Sequence, residues 1–452
     1  VTASEDPRAL VRSRKYVGLL LLSALLGAPV AAVAYGFLAL VNYLQPALFI
    51  RLPVGMGFHT APAWWPVPLL AMAGLFVALA IRYLPGTGGH SPADGFKPAG
   101  TPAPADLPGI VLAALASLCL GVVLGPEAPL IMLGAGLAVL AGRLARRDMP
   151  EQAVAVIAAA GSFAAVSTLL GSPILGAFLL MEASGLGGAM LILVLLPGLL
   201  AAGIGALIFV GLGSWTGLGA FSLSIPGLPP FTHPSLAEFG WALAIGFAAA
   251  FLGTGIRRLA QLVRPHIERR AIILTPLVGI VIAVLAIGYA EITGKSSSDV
   301  LFSGQSALSS LIKNASSYSV AALVLLLVCK GLGYSLSLSA FRGGPVFPSL
   351  FLGAAAGVAL SHLPGLSVVA AVAMSMGAMC ASMLMLPLTS VMLATLLLLS
   401  DGIAVMPLVI VSTVVAYVVT ARLTPRPAPA ADQPGPEVVE ADPEAGDRGG
   451  TR

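Results

Sequence analysis

Charge is the scarcest property of this 452-residue chain. Lys, Arg, Asp and Glu make up 9% of it against 58% hydrophobic residues, where an ordinary soluble domain is about 25% charged and about 45–50% apolar. That excludes a water-soluble globular enzyme. The few charges are also unevenly placed: six stand in residues 1–15 and nine in residues 424–452. Stretches such as Val17 to Leu25, Ile272 to Ile287 and Val368 to Pro387 carry none, and runs of this kind read as bilayer-embedded helices. Cysteine is as sparse. Cys119, Cys329 and Cys380 lie in apolar segments without CxxC or Cys/His spacing, which excludes a disulfide framework and a zinc site. The net charge of +4 comes with no basic patch interleaved with aromatics, so nucleic acid is not a partner. Gly294-Lys295-Ser296 is the only trace of a phosphate loop, and Tyr289 stands where that motif needs Gly. No nucleotide, no cofactor, no metal cluster and no nucleophile-base pair is expected.

What is present is membrane sequence. Arg8, Arg12, Arg14 and Lys15 precede an apolar run too long for a signal peptide. Residues 1–15 therefore read as a cytoplasmic N-terminal segment ahead of the first membrane helix. Arg257, Arg258, Arg264, Arg269 and Arg270, read as a later loop, fall on the same side by the positive-inside rule. Leu19 to Leu40 and Met190 to Leu212 are long enough to span a bilayer. Leu130 to Gly142, Ile174 to Met181, Phe347 to Leu360 and Leu388 to Leu399 are shorter, and each follows a Gly- or Pro-containing breaker. Broken helices at membrane depth survive only where protein or a polar cavity covers their free backbone groups, and such breaks mark binding sites.

An internal repeat sharpens this. The pattern P-x-x-x-L-G-A of Pro129 to Ala135 returns 219 residues later in Pro348 to Ala354, and Pro173 and Pro387 open a second short helix at nearly the same distance beyond. A duplication with halves at about 16–212 and 236–422, inside a membrane domain 16–423, accounts for the spacing. From residue 424 on, six prolines among Asp, Glu, Gly and Ala cannot bury a core, so 424–452 reads as a disordered tail rather than a folded regulatory domain.

Glu127, in Gly125-Pro126-Glu127-Ala128-Pro129, is the most informative residue. It starts a short apolar helix, where free N–H groups and the dipole favour an anion. A carboxylate there occupies an anion site and leaves when protonated, as a gate and proton carrier does. The bland reading is a capping Glu at the membrane surface. Glu182, at the end of another short helix, is as readily an interfacial Glu as a proton carrier. Thr87, in Pro85-Gly86-Thr87-Gly88-Gly89-His90, lies in a Gly-rich turn of the kind that forms anion nests. His90 reads as a loop residue more readily than as a ligand. Gly343-Gly344-Pro345-Val346-Phe347-Pro348 is the second-half counterpart of the Glu127 breaker. Lys330 and Arg342 flank it, either to hold the field positive or to snorkel to the interface.

Together these motifs resemble the CLC chloride channel and transporter family. Gly125 to Pro129 is similar to its G-K/R-E-G-P, Gly343 to Pro348 to its G-G-x-F-x-P, and Gly86 to His90 to its G-S-G-I-P. Gly171 to Glu182 resembles the helix that ends in a Glu pair. The resemblance implies an all-α polytopic membrane protein of two inverted repeats, a homodimer with an anion pathway in each subunit, and a gating role for Glu127. It departs at Thr87, where the family has Ser; at Gly89 and His90, where it has Ile and Pro; and at Val346, where Phe is usual. No Tyr follows Tyr417, so the family's central Tyr has no counterpart, and Ala183 replaces the second Glu of the pair. The expectation is a cell-membrane protein moving a small inorganic anion, chloride first, past Glu127 and Glu182. Its anion contacts come from Gly86, Thr87, Gly88, Gly125, Pro126, Ala128, Gly344, Pro345, Val346 and Phe347. Ala183 favours uncoupled or weakly coupled transport, whereas the retained Glu127 favours proton-coupled exchange of chloride or fluoride. A scaffold subunit that keeps the fold without transporting is the alternative of another class.

Overall fold

Serines and glycines punctuate the chain as helix physics requires. Ser13, Ser172, Ser235, Ser319 and Ser367 each accept the backbone N–H three residues on and start a helix. Gly171, Gly185 and Gly294 end one in the left-handed conformation. The computed structural model describes residues 12–96, 100–145, 148–185, 188–217, 231, 233–398 and 400–424. Most of the N-terminal segment and all of the expected tail past Thr424 lie outside the described residues.

The first half holds α1 (Arg14–Pro46, carried on through a π-helical turn to Gly55), α2 (Pro66–Tyr83), α3 (Leu107–Cys119), α4 (Glu127–Ala145), α5 (Glu151–Leu170), α6 (Pro173–Ser184) and α7 (Gly188–Thr216). The second holds α8 (Leu236–Arg269), α9 (Ala271–Thr293), a short α10 (Gln305–Lys313), α11 (Val320–Ala340), α12 (Val346–Leu360), α13 (Val368–Leu384), α14 (Pro387–Leu397) and α15 (Ser400–Leu423). Among the described residues there is no strand, only one antiparallel bridge between Gly125 and Gly344. Among the described residues nine helices are long and apolar enough to cross a membrane, and α3, α6, α12, α13 and α14 are shorter. Leu21, Leu25, Leu207, Ile273 and Ile403 are exposed, as a lipid-facing surface requires.

Packing repeats with the sequence. In the first half α1 lies on α5 and α7, and α5 on α4; in the second α8 lies on α13 and α15, and α13 on α12. The repeated P-x-x-x-L-G-A explains itself here. A Cβ on Gly134 would strike the backbone carbonyl of Gly161 on α5, and one on Gly353 would strike the backbone of Ser375 and Met376 on α13. In both halves the motif glycine lets two helices cross at backbone contact, the usual association of helices in lipid.

Two expectations are corrected. The helix expected from Leu130 begins at Glu127 and has 19 residues, long enough to cross a membrane. Its first turn tolerates Pro129 because the N–H groups there have no intrahelical acceptor. Arg257, Arg258, Arg264 and Arg269 do not form a loop but lie on the C-terminal half of α8, with Arg270 as its cap.

Candidate functional site

The two breakers meet in the buried interior, bridged at Gly125 and Gly344. The segment between α3 and α4 is buried throughout residues 121–127, and its backbone groups find partners in the protein. Gly125 N–H donates to Gly344 C=O at 2.8 Å, Gly344 N–H donates back to Gly125 C=O at 2.6 Å, and Val123 N–H donates to Ser337 Oγ at 3.2 Å. The sequence offset of 219 residues pairs Gly125 with Gly344 and Pro126 with Pro345. Each proline carbonyl then accepts the first bond of its helix, from Leu130 N–H in α4 and Ser349 N–H in α12.

Glu127 sits where these starts oppose each other. It is fully buried, and Oε1 accepts the Phe347 N–H, in the first turn of α12, at 2.8 Å. Oε2 has no hydrogen-bond partner among the described residues. The carboxylate thus heads its own helix while resting on the N-terminus of another, both ends that favour negative charge. Glycine is what admits it: a Cβ on Gly125 or on Gly344 would overlap the carboxylate. Val346 and Phe347 are buried against the site, and Ala128 is half-buried on the first turn of α4.

Tyr334 is a site residue that the sequence reading missed. It is fully buried on α11, and its hydroxyl donates to Pro345 C=O at 2.8 Å beside Ser349 Oγ at 3.2 Å. Ser349 Oγ donates to the same carbonyl at 2.6 Å. The two hydroxyls fix the peptide that leads into α12. No motif marks Tyr334, which stands in an apolar helix like any core aromatic.

Other expected residues are placed apart from Glu127. Glu182, in the last turn of α6, accepts from Leu388 N–H (2.9 Å), Thr389 N–H (2.7 Å) and Thr389 Oγ1 (2.6 Å), and so caps α14. Thr87 is exposed. Gly86, Thr87, Gly88 and Gly89 have φ of 74°, 50°, 68° and 97°, so the turn is left-handed throughout. Its tie to the breaker is the Thr87 carbonyl, which accepts from Arg342 Nε at 3.3 Å, not the hydroxyl. Arg342 also donates to Phe341 C=O. Lys330 neither snorkels nor reaches the breaker. It is fully buried, with Nζ donating to the carbonyls of Asp299, Val300, Leu301 and Phe302 at 2.9–3.2 Å and lying over the Phe351 ring. A buried ammonium with four acceptors is a staple for the turn before α10, since an unpaired one would be costly.

Known proteins share this plan. YfeO of Escherichia coli, which carries the name of an ion-transport protein, is 28% identical over 362 residues, 78% of this chain and 81% of the relative. The protein of the same name from Salmonella schwarzengrund is 27% identical over 359 residues, 77% of this chain and 82% of its own. Two solved structures are similar in fold. A slow cyanobacterial Cl-/H+ antiporter superposes with a TM-score of 0.74 at 18% identity, covering 90% of this chain and 95% of that one. A CLC-type fluoride/proton antiporter gives 0.69 at 21% identity, covering 90% and 96%. The profile described as voltage gated chloride channel matches residues 73–421, a span that takes in both opposed breakers, and the chain therefore belongs to this CLC family of multi-pass membrane proteins.

Proposed function

We propose that the protein carries a small inorganic anion, chloride first, across the cell membrane, with Glu127 as the gate. One observation carries the reading: a buried carboxylate occupies the N–H of Phe347 at the start of α12 while heading α4. A carboxylate held by such groups stands in for an anion, so a transported ion that takes the Phe347 N–H must displace it. Protonation of Glu127 removes its charge and favours the same release. Gly125, Pro126, Ala128, Gly344, Pro345, Val346 and Phe347 bound the position. Gly86, Thr87 and Gly88 act at one remove, by holding Arg342 beside Gly343.

In this reading transport is uncoupled or weakly coupled. Glu182 is engaged by three donors of α14 and Ala183 follows it, which leaves no second carboxylate there to relay protons. The subunits pair as a homodimer with an independent pathway in each and the N-terminus in the cytoplasm, as the family resemblance implies. Proton-coupled exchange is the second reading. It is favoured by the buried Glu127 itself and by similar structures described as chloride/proton and fluoride/proton antiporters.

The test is efflux from liposomes holding only this protein, with chloride or fluoride inside and external pH recorded in weak buffer. Anion efflux without proton movement is expected. Efflux that drives protons into the vesicles makes the chain an exchanger, and no efflux of either ion makes it a non-transporting scaffold.

A further inference from the structure

We infer that the crevice beside α4 and α5 is a phospholipid site. It takes an acyl chain in its apolar depth and, at its mouth, a headgroup that carries both a phosphate and a primary ammonium, set between Arg143 and Glu151.

Gly134 meets Gly161 and, two turns on, Gly142 meets Ile157, so α4 and α5 run antiparallel. Along this pair lies a cavity of about 200 Å³, walled by Ile131, Met132 and Ala135 of α4, Ala159 and Phe163 of α5, and Leu195 of α7. The two serines in its wall are engaged elsewhere: Ser162 Oγ donates to Ile131 C=O at 3.0 Å and Ser184 Oγ to Met181 C=O at 2.9 Å. A single water needs roughly 15 Å³ and two or more polar partners. This space is far larger and almost without such partners, so its natural occupant is apolar. A second cavity, of about 400 Å³, continues it, since Thr101 and Ala155, both exposed, stand in the walls of both. Arg143 and Glu151 line this second space. Arg143 lies in the last turn of α4, about 12 Å along the helix from Ala135, between the exposed Leu140 and Leu144. An arginine among exposed leucines at a helix end stands where the apolar layer meets water. The apolar cavity runs inward from there, which is the arrangement of a lipid tail below its headgroup.

The two charges choose the headgroup. Arg143 and Glu151 line one cavity, yet among the described residues the ion pairs are those of Arg264 with Asp94 and Glu268, and neither belongs to them. Asp148 is not in the wall, and Arg146 and Arg147 lie outside the described residues. One positive and one negative group held apart across a space match a zwitterion, with phosphate on the guanidinium and ammonium on the carboxylate. A trimethylammonium has no N–H for Glu151, and no aromatic ring stands in the wall to receive it instead. A headgroup without a cation leaves Glu151 facing a phosphate uncompensated. The occupant is therefore a phospholipid of the phosphatidylethanolamine type.

The experiment is native mass spectrometry of the purified full chain, stripped of lipid in detergent and titrated with phosphatidylethanolamine, phosphatidylcholine or phosphatidylglycerol of one acyl length. Wild type is compared with Arg143→Gln, Glu151→Gln and Ala159→Phe. Wild type should bind phosphatidylethanolamine about threefold or more tightly than either other lipid, the worth of one favourable surface ion pair. Arg143→Gln should weaken all three lipids about fivefold, the attraction of one arginine for the lipid surface. Glu151→Gln should abolish the preference for phosphatidylethanolamine over phosphatidylglycerol while leaving the binding of phosphatidylglycerol no weaker. Ala159→Phe fills the apolar cavity and should weaken all three alike; Ala155→Phe, at the exposed junction of the two cavities, replaces it if that variant fails to fold. Equal binding of the three lipids by wild type, or a preference that survives in Glu151→Gln, overturns the headgroup assignment. Unchanged binding in Arg143→Gln or in the cavity-filling variant overturns the site.

Discussion

Replacing Gly344 by Ala tests the gate without changing the carboxylate's chemistry. Gly344 does not have a positive φ, so alanine suits its backbone and the effect is steric. The added Cβ would occupy the space of Glu127 Oε2 and sit 3.0 Å from Ala128 N. With the Gly125–Gly344 bridge held by two hydrogen bonds, the side chain of Glu127 is the part free to yield. Leaving, it gives up the Phe347 N–H. A hydrogen bond to a charged group contributes about 1.5–3 kcal/mol, which shifts the ratio of open to closed gate about 10- to 150-fold. Liposome efflux through Gly344→Ala should therefore rise toward that of Glu127→Ala. Adding Glu127→Ala to Gly344→Ala should change little further, because both act on one contact. Wild-type efflux in Gly344→Ala, or effects that simply multiply in the double variant, would refute the reasoning.

Three further outcomes are expected. Glu127→Gln and Glu127→Ala change the efflux rate and abolish its pH dependence; an unaltered rate and pH profile in either removes Glu127 from the gate. Lys330→Met leaves the carbonyls of Asp299, Val300, Leu301 and Phe302 without this donor and should cost about 1–3 kcal/mol for each one left buried and unsatisfied, read as a lower Tm in detergent, and an unchanged Tm contradicts its role as a staple. Glu182→Ala removes the cap of α14 at a cost of about 0.5–2 kcal/mol, while Glu182→Gln, which still accepts hydrogen bonds, retains most of it; equal Tm values for Ala and wild type would dismiss the cap.

Much of the fold is legible in the sequence because lipid leaves few choices. Apolar runs and Gly- or Pro-containing breakers are local signals, and the pattern that returns 219 residues later relates the two halves; the helices follow them. Glu127 is legible for the same reason: an acid beside a breaker in an apolar region is conspicuous. Tyr334 is not, because what singles it out is the Pro345 carbonyl, eleven residues away and across a helix break. Lys330 misleads in the opposite direction. A lone cation near a breaker reads as part of an anion site, yet its partners are carbonyls of a turn some thirty residues earlier. The arginines of α8 misread as a loop because charge mimics exposure, while the helix runs on past the bilayer's needs with 34 residues.

The site is asymmetric where the scaffold is not, and the helix starts show how. At the repeat offset the counterpart of Glu127 is Val346, and the residue before Pro387 is Leu386 where α6 has Ser172 before Pro173. α6 is capped by its own Ser172, but neither Pro345 nor Leu386 offers a capping side chain to α12 or α14. Both second-half helices are instead met by carboxylates of the first half, Glu127 at Phe347 and Glu182 at Leu388 and Thr389. An N-terminus without its own cap has free donors, and these are what an anion requires. At α14 three donors, one of them a hydroxyl, hold Glu182 firmly, which suits a permanent cap. At α12 a single N–H holds one oxygen of Glu127, and the other has no hydrogen-bond partner among the described residues. On the proposed reading, that difference is what makes the second cap replaceable: the same trans-capping arrangement gives a structural tie in one place and, in the proposed gate, a contact for a passing ion to take in the other.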